Sequence, residues 1–279
     1  MKILLTGATG QVGWELRKTL APLGEVKAFD RFGLDLADAP TVVASVRALQ
    51  PDVIVNAAAY TAVDKAETER DAAFAVNATA PRVLAEEARR SGALLVHYST
   101  DYVFDGEKPA PYVEADATNP INVYGASKLA GERAVAAAGG RYLILRTCWV
   151  YGPRGKNFYL TMLRLAKERP ELHVVNDQVG APTSSLSIAR ATVQLLQQDA
   201  QGLYHMAAAG ETSWCGFARA ILKGAGLATP VHAIGTKDYP TPARRPRNSR
   251  LDCSKLRREH GVALPPWEEQ LAEVTLAAP

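Results

Sequence analysis

Tyr124 and Lys128 stand four positions apart in INVYGASKLAG, residues 121–131, in a segment that turns helical just after Asn119 and Pro120. On a helix, positions i and i+4 share one face a turn apart, so a phenol and an ammonium group point the same way. A tyrosine hydroxyl ordinarily ionises near pH 10 and works as an acid or base at neutrality when a neighbouring cation brings that value down. Lys128 is the expected cation. A hydroxyl to hold a reacting oxygen is available in HYSTDYVFDG, residues 97–106, where Ser99, Thr100 and Asp101 close an apolar run. A short Y-x-x-x-K match arises easily by chance, so the elements that carry these residues decide its meaning.

Those elements alternate. KILLT (2–6), VKAF (26–29), DVIVNAA (52–58), ALLVHYS (93–99) and YLILRT (142–147) are short and rich in Val, Ile and Leu, as buried parallel strands are. Helix-period segments lie between them at 11–22, 40–49, 70–91 and 122–138. Strand and helix in this alternation predict an α/β fold, a doubly wound parallel (Rossmann) sheet whose ligands bind at the carboxyl ends of the strands. Thr100 and Asp101 fall at such an end, with the Tyr124 helix next along the chain.

The first strand runs out in TGATGQVG, with Gly7, Gly10 and Gly13 ahead of the helical WELRKTLA. Glycines there allow a tight turn and let the N–H groups of residues such as Gln11 and Val12 approach a pyrophosphate at the helix N-terminus. Asp30 closes the second strand about 20 residues further on, where a carboxylate accepts hydrogen bonds from an adenosine ribose. These residues predict a dinucleotide. Asp30 suits a free 2′-hydroxyl and Arg31 a 2′-phosphate, so NADH and NADPH both stay open. Asp35 and Leu36 are expected to flank the adenine. Ala58, Ala59 and Tyr60, in NAAAYT, are expected beside the pyrophosphate or ribose, although the alanines also suit plain tight packing.

Beyond about residue 150 the alternation weakens into a smaller mixed lobe: a helix in LTMLRLAKE, a strand at HVVN, a helix near 185–198, a strand in GLYHMAA, and helices at 213–225 and 254–260 before a tail with Pro265 and Pro266. The expected division is a dinucleotide-binding domain over 1–150 and a mainly substrate-binding lobe over 151–279, with the chain crossing back to the sheet. Hydrophobic residues make up 47% and charged residues 22% of the 279, which excludes a disordered chain. No apolar run approaches the roughly 18 residues of a membrane span, and MKILLTG lacks the pattern of a signal peptide, so a cytoplasmic protein is expected. A net charge of +3 is too small to imply nucleic acid. Cys148, Cys215 and Cys253 are scattered, and the five histidines show no metal-ligand spacing.

TGATGQVG, STDYVFDG and VYGASKLAGE together resemble the extended short-chain dehydrogenase/reductase superfamily. More narrowly, GQVGWEL, DVIVNAAAYTAVDKAE, NVYGASKLAGE, RTCWVYG, VNDQVGAPT and RPRNSRLD resemble the dTDP-4-dehydrorhamnose reductase family, which completes dTDP-L-rhamnose synthesis. That resemblance implies reduction of the C4 ketone of a dTDP-sugar by NADPH or NADH. Thr100, Tyr124 and Lys128 become the catalytic triad, with Tyr124 the proton donor, and Asp101 and Trp149 meet the sugar. Trp149 could equally be an aromatic plug between lobes. PARRPRNSR (242–250) carries Arg244, Arg245, Arg247 and Arg250, whose guanidinium forks suit a diphosphate. Arg244 is assigned to the substrate, although the sequence leaves the choice among the four open.

Asn176, Asp177 and Gln178 either meet substrate or close a turn. Some members of the family bind magnesium between the subunits of a homodimer through acidic residues. Glu15 matches one such place, but SSLSIAR offers no carboxylate where a second is needed, which argues against both the ion and that dimer. Two rival readings remain: a nucleotide-sugar 4-epimerase or dehydratase of the same fold, and a non-catalytic regulator resembling the regulatory subunit of methionine adenosyltransferase. A dehydratase would want Asp-Glu after the triad hydroxyl, where this chain has Asp101 and Tyr102.

Overall fold

A computed structural model describes residues 1–277. Strands β1 (Lys2–Thr6), β2 (Glu25–Phe29), β3 (Val53–Asn56), β4 (Leu94–Thr100), β5 (Arg141–Thr147) and a sixth, Gly202–His205, form one sheet. Its order is Gly202–His205, β5, β4, β3, β1, β2, with every pair parallel. The first crossover leaves β1 in one direction and the next returns to its other side, so the topological switch point lies between β1 and β3. The glycine loop after β1 and the alanine run after β3 meet there.

Alternation along the strands builds two cores. Ile3, Leu5, Val53, Val55, Val96 and Leu145 face α1 (Gln11–Thr19) and the helix Ser185–Gln197. Leu4, Ile54, Leu95 and Ile144 face α2 (Ala39–Leu49) and the helix Ala80–Ser91. Each such side chain contributes about 1.5–3 kcal/mol on burial, so both faces must be covered. β2 differs from the buried strand expected: it is an edge strand, with Lys27 and Ala28 exposed.

The helix expected over 70–91 is interrupted. Arg70–Phe74 and Ala80–Ser91 are α-helical, and Ala75–Thr79 between them is a π-turn in which the Ala80 N–H reaches back to the Ala75 carbonyl. Pro81 is the cause in the sequence, because it has no N–H to offer the Asn77 carbonyl four residues back and its ring crowds that group. The tail after Pro266 is not irregular either: Trp267–Ala277 is a helix, with Trp267, Leu271 and Val274 buried along one face. That i, i+4, i+7 spacing is a helix signal present in the sequence.

Residues past 150 build a third core around Tyr151, Tyr159, Phe217 and Leu222, joined by Phe104 and Leu129 from the sheet side. The helix Ser185–Gln197 and the strand Gly202–His205 nevertheless return to the main sheet, the latter pairing with β5 from Gly202↔Leu143 to His205↔Arg146.

Glu87 ties two helices on one face of the sheet. Its carboxylate receives Arg47 through two hydrogen bonds of 2.7 and 2.9 Å, and also Arg90. The Arg47 bond, with Arg90 in support, holds it down to about 2 from an ordinary 4.5. A depressed carboxylate stabilises the fold above its unfolded value and loses that contribution as pH falls through the folded one. Glu87→Gln should therefore lower the urea midpoint at pH 7 and narrow the gap between the midpoints at pH 7 and pH 3, as followed by circular dichroism.

Candidate active site

Gly7 closes β1 with φ +68°, and its carbonyl accepts from the Gly10 N–H at 2.9 Å. A Cβ on Gly7 would fall 2.6 Å from the Ala58 N, and one on Gly13 would fall 2.0 Å from the Gly7 carbonyl oxygen. Only glycines let loop, helix and β3 end approach this closely. Gly10 is the N-cap of α1 and gives no side-chain cap, so the N–H groups of Gln11, Val12 and Gly13 keep their capacity for an anion. This cradle fits a dinucleotide pyrophosphate. Gln11 Oε1 also accepts from Asn157 Nδ2 at 2.8 Å, which draws the segment 152–157 over the same helix end.

At the end of β2, Asp30 Oδ1 accepts from the Phe32 and Gly33 N–H groups at 3.0 and 2.8 Å, and Arg31 is exposed. Asp35 is exposed and caps its own turn through the Ala37 N–H. The side chain of Leu36 is buried in the core against α2, where the loop seals the edge of the sheet. Ala58 and Ala59 are part-exposed beside Gly7. Tyr60 is locked by Asn77, which accepts from its N–H at 2.8 Å and donates to its carbonyl at 3.0 Å. Its hydroxyl bonds Glu69, which pushes the phenol up to about 12.

The helix Val123–Ala137 presents the expected pair. Asn122 caps it, accepting from the Gly125 N–H at 2.7 Å and donating to the Arg244 carbonyl at 2.7 Å, while Glu67 accepts from the Val123 N–H. Gly125 and Gly131 let this helix press onto its neighbours, since a Cβ at either would lie 2.1 Å from the carbonyl oxygen of Tyr102 or of Asn77. Thr100 Oγ1 donates to Asp101 Oδ1 at 3.1 Å. The Tyr124 ring packs edge-on against Tyr102, with centroids 5.5 Å apart.

The electrostatics invert one expectation. Tyr124 is part-exposed, yet desolvation of its hydroxyl raises the phenol above its ordinary value, the charge of Asp101 adds to this, and hydrogen bonding to Thr100 opposes it. The Lys128 amine is buried and donates to the Tyr98 carbonyl at 2.6 Å, 3.5 Å from His97 Nε2, and burial brings it down to about 8 with Glu132 opposing. Desolvation of the phenol thus outweighs a cation engaged elsewhere. Tyr124 is consequently a protonated acid at neutral pH. Asp101, 3% exposed, is pushed up by burial to about 7, with Ser249 and Thr100 opposing.

The chain as a whole has relatives of known family. The family model described as the RmlD substrate binding domain matches residues 1–278. The dTDP-4-dehydrorhamnose reductase of Burkholderia thailandensis is 52% identical, with 96% of this chain and 95% of that protein covered. This chain belongs to the dTDP-4-dehydrorhamnose reductase family. Among solved members, the Clostridium acetobutylicum reductase superposes with a TM-score of 0.97 at 41% identity, covering 99% of both chains. The Bacillus anthracis reductase, solved in complex with NADP, gives 0.96 at 39% identity, again over 99% of both.

Within this family member, Trp149 lies at the end of β5 with φ +48°. Its indole stacks on Trp214 at a centroid separation of 3.6 Å, and a Cβ on Gly180 would come within 2.7 Å of the ring. It therefore joins the lobes, as an aromatic plug does, while keeping a part-exposed position beside the site. A non-glycine residue in the left-handed region is costly and is retained where surroundings enforce it. The arginine loop sorts itself. Arg245 is held by Asp64 and the Ala243 carbonyl, and Arg250 by Glu211 and Asn248. The guanidinium groups of Arg244 and Arg247 are exposed without a hydrogen-bond partner among the described residues; Asp177, which burial would raise, is lowered by its hydrogen bonds from Thr236, with the charge of Arg247 adding least.

Asn176, Asp177 and Gln178 are engaged with Ser213 and Thr236, tying distant segments of the lobe together. Glu15 is part-exposed on α1. Among the described residues no group of three or more His, Cys, Asp or Glu could hold a metal ion, and no helix is long and apolar enough to cross a membrane. The sequence reading overlooked Asn77, which Pro81 signals, and the buried Glu132–Arg146 pair at 2.7 Å, signalled by an arginine inside an apolar strand.

Proposed function

We propose that this protein reduces the C4 ketone of dTDP-4-dehydro-L-rhamnose to dTDP-L-rhamnose with NADPH or NADH, Tyr124 donating the proton. The single observation that carries the reading is the placing of the Tyr124 phenol beside Thr100 and Asp101 at the end of β4, in a chain of this family. Gly7, Gly10, Gln11, Val12 and Gly13 would hold the pyrophosphate of a nicotinamide coenzyme and Asp30 and Arg31 its adenosine ribose, and the bound coenzyme would supply hydride. Thr100 orients the ketone oxygen. Tyr124 gives its proton to that oxygen as negative charge grows there, and a phenol is acidic enough to protonate an alkoxide without first being tuned toward neutrality. Asp101 and Trp149 hold the sugar, and the lobe over 151–279 encloses the nucleotide.

The reading is tested by mixing the purified protein with NADPH or NADH and dTDP-4-dehydro-L-rhamnose prepared enzymatically from dTDP-glucose. One equivalent of reduced nicotinamide should disappear per sugar. An epimerase or dehydratase would regenerate its coenzyme, and a regulator would leave the absorbance unchanged. The cytoplasm, where reduced nicotinamides and nucleotide sugars meet, is the proposed location.

Arg244 is the proposed diphosphate contact because its guanidinium is uncommitted, and a charge-assisted hydrogen bond is worth about 1.5–3 kcal/mol. Arg244→Ala should raise the KM for the dTDP-sugar by roughly 10- to 100-fold on that scale and leave the KM for NADPH in place. Arg245→Ala should instead loosen the tie to Asp64 and lower the melting temperature.

A further inference from the structure

Three polar side chains interrupt the apolar face of the sheet in register. Thr6 on β1 pairs with Asn56 on β3, and Asn56 with His97 on β4. None is more than 1% exposed. The row is closed at both ends by apolar neighbours, Phe29 beyond Thr6 and Ile144 beyond His97. Among the described residues its polar outlet is Lys128, whose Nζ lies 3.5 Å from His97 Nε2. Burying three polar groups where Leu or Val would pack costs stability unless each finds a partner, so their donors and acceptors can be counted.

Thr6 Oγ1 donates to Asn56 Oδ1 at 2.7 Å, and Asn56 Nδ2 lies 3.1 Å from His97 Nδ1. In this setting Nδ1 accepts, so the proton of the neutral imidazole sits on Nε2 and is aimed at Nζ. An ammonium cannot accept it, whereas an uncharged amine can, while still donating to the Tyr98 carbonyl at 2.6 Å. The opposite setting serves the charged lysine: Nζ donates to Nε2, Nδ1–H donates to the amide oxygen, and the turned amide donates to Thr6.

We infer that Thr6, Asn56 and His97 form a reversible hydrogen-bond row whose direction follows the charge of Lys128, which makes His97 a positioning residue for that amine. Resting on the reductase reading for its use, the row lets Lys128 lose and regain a proton without leaving one buried donor facing another. His97 itself stays neutral, pushed well below its ordinary value by burial and then by Lys128. The other charged groups nearby do not take its place. Glu132, on the same helix, is closed by both oxygens onto Arg146 of β5, and Asp101 at the end of β4 acts on Tyr124. Among the described residues, the polar side chains that β1, β3 and the turn Ala75–Thr79 bring to this row are the uncharged Thr6, Asn56 and Asn77, Lys2 lying at the far, exposed end of β1.

The test is the tautomer of His97, read from imidazole nitrogen shifts of the full-length ¹⁵N-labelled protein across the titration of Lys128, near pH 8. His97 should pass from Nδ1–H below that pH to Nε2–H above it. In Lys128→Met the passage should vanish, and in Asn56→Asp, which offers Nδ1 only an acceptor, Nδ1–H should persist throughout. One unchanging tautomer in the wild type, or an unaltered passage in Lys128→Met, overturns the inference. Nicotinamide turnover by the wild type is a separate readout. A switching His97 in a protein without turnover retains the row and removes the reductase reading, whereas turnover with a fixed His97 does the reverse.

Discussion

Replacing Tyr124 by Phe should lower kcat/KM for dTDP-4-dehydro-L-rhamnose by roughly 100- to 10,000-fold, the usual contribution of a positioned general acid. The affinity for NADPH, titrated by nicotinamide fluorescence, should stay within a few-fold of wild type. The ring keeps its edge contact with Tyr102 and the helix keeps its Asn122 cap, so only the hydroxyl is lost. A variant retaining more than a tenth of wild-type turnover would remove Tyr124 as proton donor. The pH profile gives a second handle. With the phenol raised by burial, an activity limb near neutrality belongs to Asp101 at about 7 or Lys128 at about 8, not to Tyr124. Asp101→Asn should therefore move or abolish a limb near pH 7, whereas Tyr124→Phe should lower the profile without shifting it.

Gly13→Ala should raise the KM for NADPH at least about tenfold and lower the melting temperature. Helix propensity favours alanine over glycine by about 1 kcal/mol, so the substitution would stabilise an ordinary helix position. Here the added Cβ would fall 2.0 Å from the Gly7 carbonyl oxygen and 2.7 Å from its carbon. Backbone cannot yield as a flexible side chain can, and overpacking of this kind costs about 1–3 kcal/mol. Relief requires α1 to move away from the loop, which pulls the N–H groups of Gln11, Val12 and Gly13 off the pyrophosphate position. An unchanged KM for NADPH, measured at saturating dTDP-sugar, would mean that the coenzyme phosphates do not use this helix end.

The amino-acid sequence by itself determined the alternating elements, the glycine loop, and the placing of Thr100 at a strand end with Tyr124 and Lys128 on the helix that follows. Each follows from a local rule: period 2 or 3.6 in apolar residues, glycine where backbones touch, and i, i+4 on one helix face. Even the interruption at Ala75–Thr79 was legible in Pro81, and the last helix in the spacing of Trp267, Leu271 and Val274. Tertiary structure alone decided the charges. Spacing puts Lys128 a turn from Tyr124, but the amine's partners come from β4, and burial, a property of the whole assembly, sets the phenol's acidity. It also turned Leu36 inward, committed Arg245 and Arg250 to distant carboxylates, and lined up Thr6, Asn56 and His97 from three strands. Residues separated by tens of positions meet only when the sheet forms, and a group's ionisation depends on what then surrounds it.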